Sequence, residues 1–392
     1  MEANQRVRSD RALQLAFGRE RCAEQSVISQ TLDACNGENV SQMETAMRQI
    51  YQNHSQAYRH DYQQWQLLDI DLSGQPCGKK AAFASKGYFA QQRNRRGRQL
   101  GRVWASWYKE IVVDQLYPGN TTLATVLIKL IDQAETVLEL NHWQQQRTIL
   151  RLDGHGGSQT DVNELLRRGY HLHTKEYSGS RARKLAESVT TWHKDPRVPD
   201  RYVGWVTLAA TEYVRPLTRI AVRTRKKNGQ WGIGVILSSL NSQQVALLAG
   251  LTPEQWDNPL DQLLAYVYFY DLRAGGIETG FKDDKQALGI TKRNKKRFEA
   301  QQMLTQLNAL AHNLVTWFQL WLAQRHAAVA KLGLLRLLRD VLTINGSVFL
   351  MMPARFPPLS STFMTVSPPT WLSPSNLYFN LGISSLFWTK LR

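Results

Sequence analysis

The stretch QLLDIDLS at residues 66–73 decides the fold of this chain. Its apolar residues predict a buried β-strand, and Asp71 stands where that strand ends. A second apolar stretch, RTILRL at residues 147–152, predicts another strand and is followed directly by Asp153. Because ligands of α/β folds bind where strands end, we expect both carboxylates at one edge of a sheet. Asp69 is the alternative to Asp71, since residues i and i+2 share a strand face, but Asp71 is preferred for its place at the strand end.

The surrounding segments predict a mixed α/β sheet flanked by helices. Further strands are expected at residues 103–113 and 170–175, and helices at residues 121–140 and 160–168. From about residue 176 to 250 the pattern becomes β-rich, with runs at residues 202–210, Thr218–Arg225 and Trp231–Ser238 and a hairpin turn at residues 227–229. Helical periodicity returns at Pro259 and continues to about Val341.

We expect three parts along the chain. Residues 1–64 are predicted to be helical, and they are either an incomplete DNA-binding module or a helical packing appendage. Residues 65–345 form the predicted α/β domain, with the β-rich insertion at about 176–250. Residues 346–392 are rich in proline and serine and lack acidic residues, which predicts a loosely structured tail.

The composition indicates a basic protein with a polyanionic partner. The 392 residues include 49 Lys and Arg against 32 Asp and Glu, a formal charge of +17. Basic clusters occur at residues 91–102 (QQRNRRGRQLGR), 223–227 (RTRKK) and 292–297 (KRNKKR). No uncharged apolar run reaches 18 residues, the N-terminal stretch has no apolar core, and three cysteines fit no disulfide framework or zinc site. We therefore expect a cytoplasmic protein that does not span a membrane.

A third candidate acid lies in YDLRAGGIETGFKDDK at residues 270–285. On a helix, Glu278 would share one face with three residues at i+3, i+4 and i+7, namely Phe281, Lys282 and Lys285. A carboxylate beside lysines suits a metal ion held next to phosphates, because Mg²⁺ prefers oxygen ligands. The alternative is an intrahelical salt bridge between Glu278 and Lys282. No phosphate-binding loop, dinucleotide fingerprint or serine-hydrolase motif occurs in the sequence.

Together these residues resemble the DDE transposases of bacterial insertion sequences, in particular the subgroup with a Tyr-Arg-Glu-Lys signature around the third acid. Tyr270, Arg273, Glu278 and Lys285 match that signature with one departure. Four residues separate Arg273 from Glu278 where the signature has three, and we expect Gly275 and Gly276 to absorb the extra residue as a bulge or helix break. A β-rich insertion between the second and third acids is also a feature of the subgroup.

The resemblance implies an RNase H-like fold with Asp71, Asp153 and Glu278 as catalytic, metal-binding acids. It implies Mg²⁺-dependent cleavage at transposon ends, with Mn²⁺ as a substitute, and transfer of the 3′-OH to target DNA by two metal ions. Double-stranded DNA, as terminal inverted repeats and target, is the expected partner of a homodimer that uses no nucleotide cofactor. The DNA-binding side chains expected are Tyr270, Arg273, Lys282, Lys285, Arg93, Arg95, Arg96 and Arg98. Trp205 and Trp231 are candidates for stacking on an extruded base or for core packing.

Three other functions remain open from the sequence. A transposase-derived protein that has lost catalysis would grip DNA without cutting it. Another RNase H-like nuclease would hydrolyse its substrate without joining strands. A basic RNA-associated protein is a third alternative, and it would not depend on Asp153.

Overall fold

The structure is a computed structural model, and it describes residues 23–342, apart from residues 88, 90–94, 155, 157, 227 and 293, together with residues 14, 18 and 20. Arg93 and the predicted tail therefore lie outside the described residues. The chain divides into two compact units. One comprises residues 1–30 and 335–392, and the other comprises residues 31–334 and contains the sheet.

The strands and helices follow the predicted order. The strands are β1 (Gln66–Pro76), β2 (Ser85–Lys86), β3 (Arg96–Ala105), β4 (Glu110–Pro118), β5 (Thr148–Leu152), β6 (His171–Lys175), β7 (His193–Lys194), β8 (Arg201–Trp205), β9 (Thr218–Arg225) and β10 (Trp231–Ser238). The α-helices are α1 (Gln25–Ala34), α2 (Gly37–His54), α3 (Leu123–Leu138), α4 (His142–Gln145), α5 (Gln159–Arg167), α6 (Gly179–Ala186), α7 (Ser242–Leu248), α8 (Pro253–Trp256), α9 (Pro259–Arg273), α10 (Thr279–Asp283), α11 (Phe298–Ala323) and α12 (Leu334–Arg336). Turns of π-helix cover Ala274–Glu278, Asp284–Leu288 and Leu337–Leu342, and a 3₁₀ turn covers Ala327–Lys331.

One mixed sheet of ten strands organises residues 31–334. From one edge the order is β4, β3, β1, β5, β6, β10, β9, β8 and β7, and the short β2 also pairs with β3. The central strands β1, β5 and β6 are parallel, whereas β3 runs antiparallel beside β1 and β4 runs antiparallel beside β3. This mixed sheet with its helices confirms the predicted fold class.

The β-rich insertion continues the same sheet. β10 pairs antiparallel with β6, and β9, β8 and β7 follow outward. Gly229 has a φ of +78°, which suits the turn between β9 and β10 that the sequence predicts. The insertion therefore lengthens the sheet beyond β6 and shares its hydrophobic core.

Two strand predictions were wrong in detail. The first strand was expected to end at Asp71, but β1 continues to Pro76 because its pairing with β3 extends that far. Residues 103–113 were expected to form a single strand, but a turn at residues 106–109 divides them between the antiparallel strands β3 and β4. Lys109 in this turn has a φ of +55°. The apolar and β-branched residues on both sides of the turn gave one continuous strand signal, which hid the reversal.

Successive side chains along a strand point to opposite faces of the sheet, and different helices cover the two faces. Leu68 and Leu150 point into a core formed with α3, α5 and α6. Leu67 and Ile149 point to the opposite face and pack with α7 and α9. The residues that continue this second face therefore point toward α9 and the helical turns after it. Among the described residues no helix is long and apolar enough to cross a membrane.

Candidate active site

Two parallel strands bring the first two acids together. β1 and β5 pair in register, with Ile70 opposite Leu152, so the next residues along the two strands are Asp71 and Asp153. Both follow the period of Leu67 and Ile149 and point toward the helical side that α9 covers. The two carboxylates therefore lie side by side, as the sequence predicts, but at the point where the parallel pairing with β5 ends and not at the end of β1.

Asp69 shares this face but belongs to the interior. Its side chain is fully buried, and the Arg151 guanidinium donates to its two oxygens at 2.6 and 2.8 Å. The Ser106 hydroxyl donates to the same carboxylate at 2.6 Å. A buried charge needs such partners, so Asp69 is committed to an internal ion pair while Asp71 faces the cleft.

The helical segment of residues 259–288 carries the third acid over the sheet. α9 ends at Arg273, and a π-helical turn over Ala274–Glu278 links it to α10. Gly276 in this turn has non-helical backbone angles, φ −95° and ψ −109°. A π-turn holds one residue more than an α-turn, which is how the chain accommodates the extra residue between Arg273 and Glu278.

The guanidinium of Arg273 lies among the three acids. Its Nη2 is 2.8 Å from Asp71 Oδ2, and its Nη1 is 3.4 Å from Glu278 Oε1 and 4.0 Å from Asp153 Oδ1. The Arg273 side chain is 3% exposed, whereas those of Asp71, Asp153 and Glu278 are 21%, 42% and 54% exposed. Acids from three separate elements thus converge on one buried cation.

The two aspartates differ in how readily they ionise. Burial raises the pKa of Asp71 to about 6, and the like charge of Asp153 adds to this against the opposing effect of Arg273. Burial also acts to raise the pKa of Asp153, but Arg273, the Gly154 N–H, Lys175 and the Tyr270 hydroxyl outweigh it and hold that pKa below its ordinary value. As pH falls, Asp71 is therefore the first of the two to take up a proton, as expected of carboxylates that share a site.

A cleft of about 350 Å³ opens beside these acids. It is lined by Asp71, Leu72, Ser73, Glu278, Phe281, Lys282, Lys285 and Gln286. The four residues predicted to share a helix face do line one cleft, although Phe281 is largely buried there. Lys285 Nζ donates to Ser73 Oγ at 2.6 Å, and burial lowers the Lys285 pKa. Lys282 is exposed.

Tyr270 and Arg273 were expected to contact DNA, but both are buried. The Tyr270 hydroxyl donates to Asp153 Oδ1 at 3.2 Å and lies 3.4 Å from the Leu152 carbonyl oxygen, and Lys175 Nζ is 4.4 Å from the centre of its ring. In this structure both side chains therefore support the acids and do not reach the surface.

The arginines of residues 91–102 separate into exposed and buried groups. Arg95 and Arg96 are exposed at the start of β3. Arg98 is buried, and its guanidinium donates to the backbone carbonyls of Ala82, Lys295 and Lys296 at 2.8–3.0 Å. Arg98 was expected to contact DNA, but its guanidinium is directed inward and joins two loops of the protein. Alternating hydrophobicity does not reveal such a buried arginine.

Of the two tryptophans considered for base stacking, Trp205 packs edge-on against Tyr266 in the core formed with α9. Trp231 is 44% exposed, and the Arg223 guanidinium lies 5.1 Å from its ring centre. Core packing is therefore the role of Trp205, and Trp231 presents an exposed aromatic surface on the insertion.

Several side chains that support the site were missed from the sequence. Arg102 on β3 is fully buried and forms ion pairs with Asp114 at 2.7 Å and with Asp284 at 2.6 Å. His312 of α11 reaches Asp284 at 2.6 Å. This buried network ties the segment that carries Lys285 to the sheet. The acidic pair at 283–284 within the signature stretch was a visible signal, but its partners lie far away in sequence.

Three carboxylates are a donor set that suits a hard divalent cation. Yet in the part of the chain that the structure describes, no group of three or more His, Cys, Asp or Glu side chains is arranged to hold a metal ion. The three acids surround the planar guanidinium of Arg273, which is larger than a metal ion. The residues fit a divalent metal in chemistry, provided that the carboxylates turn away from Arg273.

Comparison with known proteins adds independent information. A family model described as transposase DDE domain group 1 matches residues 1–357. Among solved structures, a cryo-EM structure of a piggyBac transposase synaptic complex with hairpin DNA is similar over 70% of this chain and 51% of that chain, with 12% sequence identity and a TM-score of 0.42. The chain thus spans about half the length of that transposase. No curated protein sequence matches it.

Proposed function

Because this chain belongs to the family of transposases with a DDE domain of group 1, we propose that it cuts DNA at transposon ends and joins the freed 3′-OH to target DNA. The observation that carries the proposal is the convergence of Asp71, Asp153 and Glu278 on Arg273 at the rim of a lysine-lined cleft. Double-stranded DNA, as terminal inverted repeats and target, is the proposed substrate, and a homodimer on paired ends is the proposed assembly.

Asp71, Asp153 and Glu278 would hold the divalent metal, Mg²⁺ or Mn²⁺. Two such ions would lower the pKa of the attacking water or 3′-OH and would stabilise the negative charge on the leaving 3′ oxygen. The chain itself contributes the remaining parts. β1 and the end of β5 fix two acids, the π-turn carries the third, and the Tyr270 hydroxyl orients the Asp153 carboxylate.

Cations beside the acids suit a phosphate backbone. Lys282 is exposed and Lys285 lines the same cleft, so both can neutralise phosphates close to the acids. Pro76, the last residue of β1, lies about 16 Å along the strand from Asp71. The Asn294 side chain donates to the Pro76 carbonyl oxygen. The basic loop at residues 294–297 and the exposed Arg95 and Arg96 thus lie where a duplex leaving the cleft could be held.

The test uses the DNA that flanks the gene as the probe. Asp71→Asn, Asp153→Asn and Glu278→Gln should each abolish metal-dependent nicking while a gel shift shows DNA binding mostly intact. Glu187→Gln, which changes an exposed carboxylate at the end of α6, should cut at the parental rate. Near-parental nicking by any of the first three proteins would refute the assignment of the acids.

The same assay separates the remaining alternatives. Binding with no nick in either Mg²⁺ or Mn²⁺ would support a transposase-derived protein that has lost catalysis. Nicks without joined products would support an RNase H-like nuclease that only hydrolyses. Joined products that carry the transposon 3′ end would support the proposed strand transfer.

A further inference from the structure

A single guanidinium occupies the centre of the proposed metal site. Arg273 comes within 4.0 Å of all three acids, and it is the most deeply buried of the four side chains. It extends from the end of α9, just before the π-turn that carries Glu278. Its position is therefore fixed by the same backbone that places the third acid.

Electrostatics requires a cation at this point. Asp71, Asp153 and Glu278 come from different elements, and without positive charge between them they would repel one another in a partly buried cleft. Arg273 supplies one positive charge at the centre of the three carboxylates, while Lys175 beside the Tyr270 ring and Lys285 in the cleft add positive charge around them. A divalent ion at the same central point would bring two positive charges to the carboxylates where the guanidinium brings one.

Arg273 is held loosely for a buried guanidinium. One ion pair, to Asp71, is short at 2.8 Å, while the contacts to Glu278 and to the Ile70 carbonyl oxygen are both 3.4 Å. Its Nε makes no hydrogen bond to any residue that the structure describes. A guanidinium that satisfies only part of its donors can give way without losing many strong bonds.

We infer that Arg273 is an internal counter-cation, which holds the three carboxylates together before the divalent metal binds and competes with that metal for them. This inference rests on the metal site of the proposed function. It assigns Arg273 as a positioning residue that sets metal affinity.

The test is direct titration of the full-length protein with Mn²⁺ in the absence of DNA, with bound metal followed by electron paramagnetic resonance. Arg273→Gln removes the competing charge and keeps a polar side chain, so it should bind Mn²⁺ at least about tenfold more tightly than the parent. An opposite charge at 4–6 Å is worth at least about tenfold for a proton, and a divalent ion should feel more. Arg273→Lys, which keeps the charge but lacks the fork, should fall between the two.

Circular dichroism checks that each variant is folded. If Arg273→Gln does not fold, the test is whether Arg273→Lys binds Mn²⁺ more tightly than the parent. Unchanged or weaker Mn²⁺ binding by the folded variant, with parental binding that still depends on Asp71, would show that Arg273 is merely structural. If neither the parent nor the variant binds Mn²⁺ in a way that Asp71→Asn abolishes, the metal site of the proposed function is itself refuted.

Discussion

Asp69 and Asp71 are both aspartates on one face of β1, yet their surroundings give them different roles. Asp69 is enclosed, and Arg151 and Ser106 satisfy its oxygens. Asp71 lies two residues on, where the strand leaves the core, and it lines the cleft. A spacing of two residues, about 7 Å along a strand, is enough to move a carboxylate from an internal ion pair to a candidate metal ligand.

Arg96 and Arg98 differ in the same way, and this leads to a prediction. Arg98→Ala should lower the free energy of unfolding by roughly 2–4 kcal/mol, because three backbone carbonyls lose the charged donor that the buried Arg98 side chain supplies. Arg96→Ala changes an exposed side chain, so stability should stay within about 0.5 kcal/mol of the parent. Chemical denaturation measures both.

DNA binding should separate the two arginines in the opposite sense. Arg96→Ala should reduce the slope of log affinity against log salt by about one, as loss of one phosphate contact does. For Arg98→Ala the salt slope should match the parent wherever the protein is folded. A parental salt slope for Arg96→Ala would remove that residue from the proposed DNA path.

At the scale of elements, the helical segment of residues 259–288 is shaped by its two π-turns. The first, at Ala274–Glu278, brings Glu278 to the acids, and the second, at Asp284–Leu288, starts at a residue anchored to Arg102 and His312. π-turns are rare and concentrate at functional sites. The segment therefore departs from α-helical geometry where the proposed chemistry needs side chains placed.

Gly276 allows the first π-turn to approach the sheet closely. A Cβ at this position would lie 2.9 Å from Asp69 Oδ2, whereas a Cβ at Gly275 would meet nothing within 4 Å. We expect Gly276→Ala to destabilise the protein by about 1–3 kcal/mol and to lower nicking, because the turn and Glu278 must shift outward. Gly275→Ala is the matched control and should be neutral within about 1 kcal/mol.

Thermal melts and the nicking assay read out this comparison. Equal effects of the two alanines would mean that backbone freedom at the glycines, and not the contact with Asp69, sets the position of the turn.

Within the molecule as a whole, β6 joins the parallel part of the sheet to the insertion, and it contains one buried and one half-buried histidine. His173 is fully buried, lies 3.0 Å from Ser238 Oγ and donates through Nε2 to the Tyr266 carbonyl oxygen. Burial, reinforced by Arg151, lowers its pKa to about 3. Burial and nearby Arg215 lower the pKa of His171 to about 4.

These shifts predict how stability depends on pH. Below pH 6.5 the unfolded chain takes up protons at both histidines, but the folded chain takes them up only near pH 3–4, so the free energy of unfolding falls as pH drops through this window. His173→Gln should reduce the slope by up to about 1.4 kcal/mol per pH unit between roughly pH 4 and 6. Denaturant unfolding at a series of pH values measures it.

His326→Gln is the control for this prediction, because its side chain is exposed and in contact with water in the folded chain. It should retain the parental dependence on pH. A parental slope in His173→Gln would mean that His173 is not buried in its neutral form.

Much of the fold and of the candidate site could be predicted from local pattern. The apolar strands next to Asp71 and Asp153, and the signature from Tyr270 to Lys285, depend on neighbours in sequence. The turn at residues 106–109 was not predictable in this way, because the strands on both sides of it have similar apolar and β-branched character. Arg98 was misjudged because a cluster of arginines reads as a surface, and its acceptors are carbonyls about 200 residues away.

Local periodicity and spacing were enough to predict the mixed α/β class, the candidate acids and the position of the insertion, and the resemblance carried by the signature from Tyr270 to Lys285 indicated the transposase family. The tertiary structure decided the rest. It enclosed Asp69 with Arg151, turned Tyr270 and Arg273 inward onto the acids, and gathered basic loops from both ends of the domain. The physical reason is that burial and ion pairing depend on which distant residues meet, and only the packing of helices against the sheet sets those meetings.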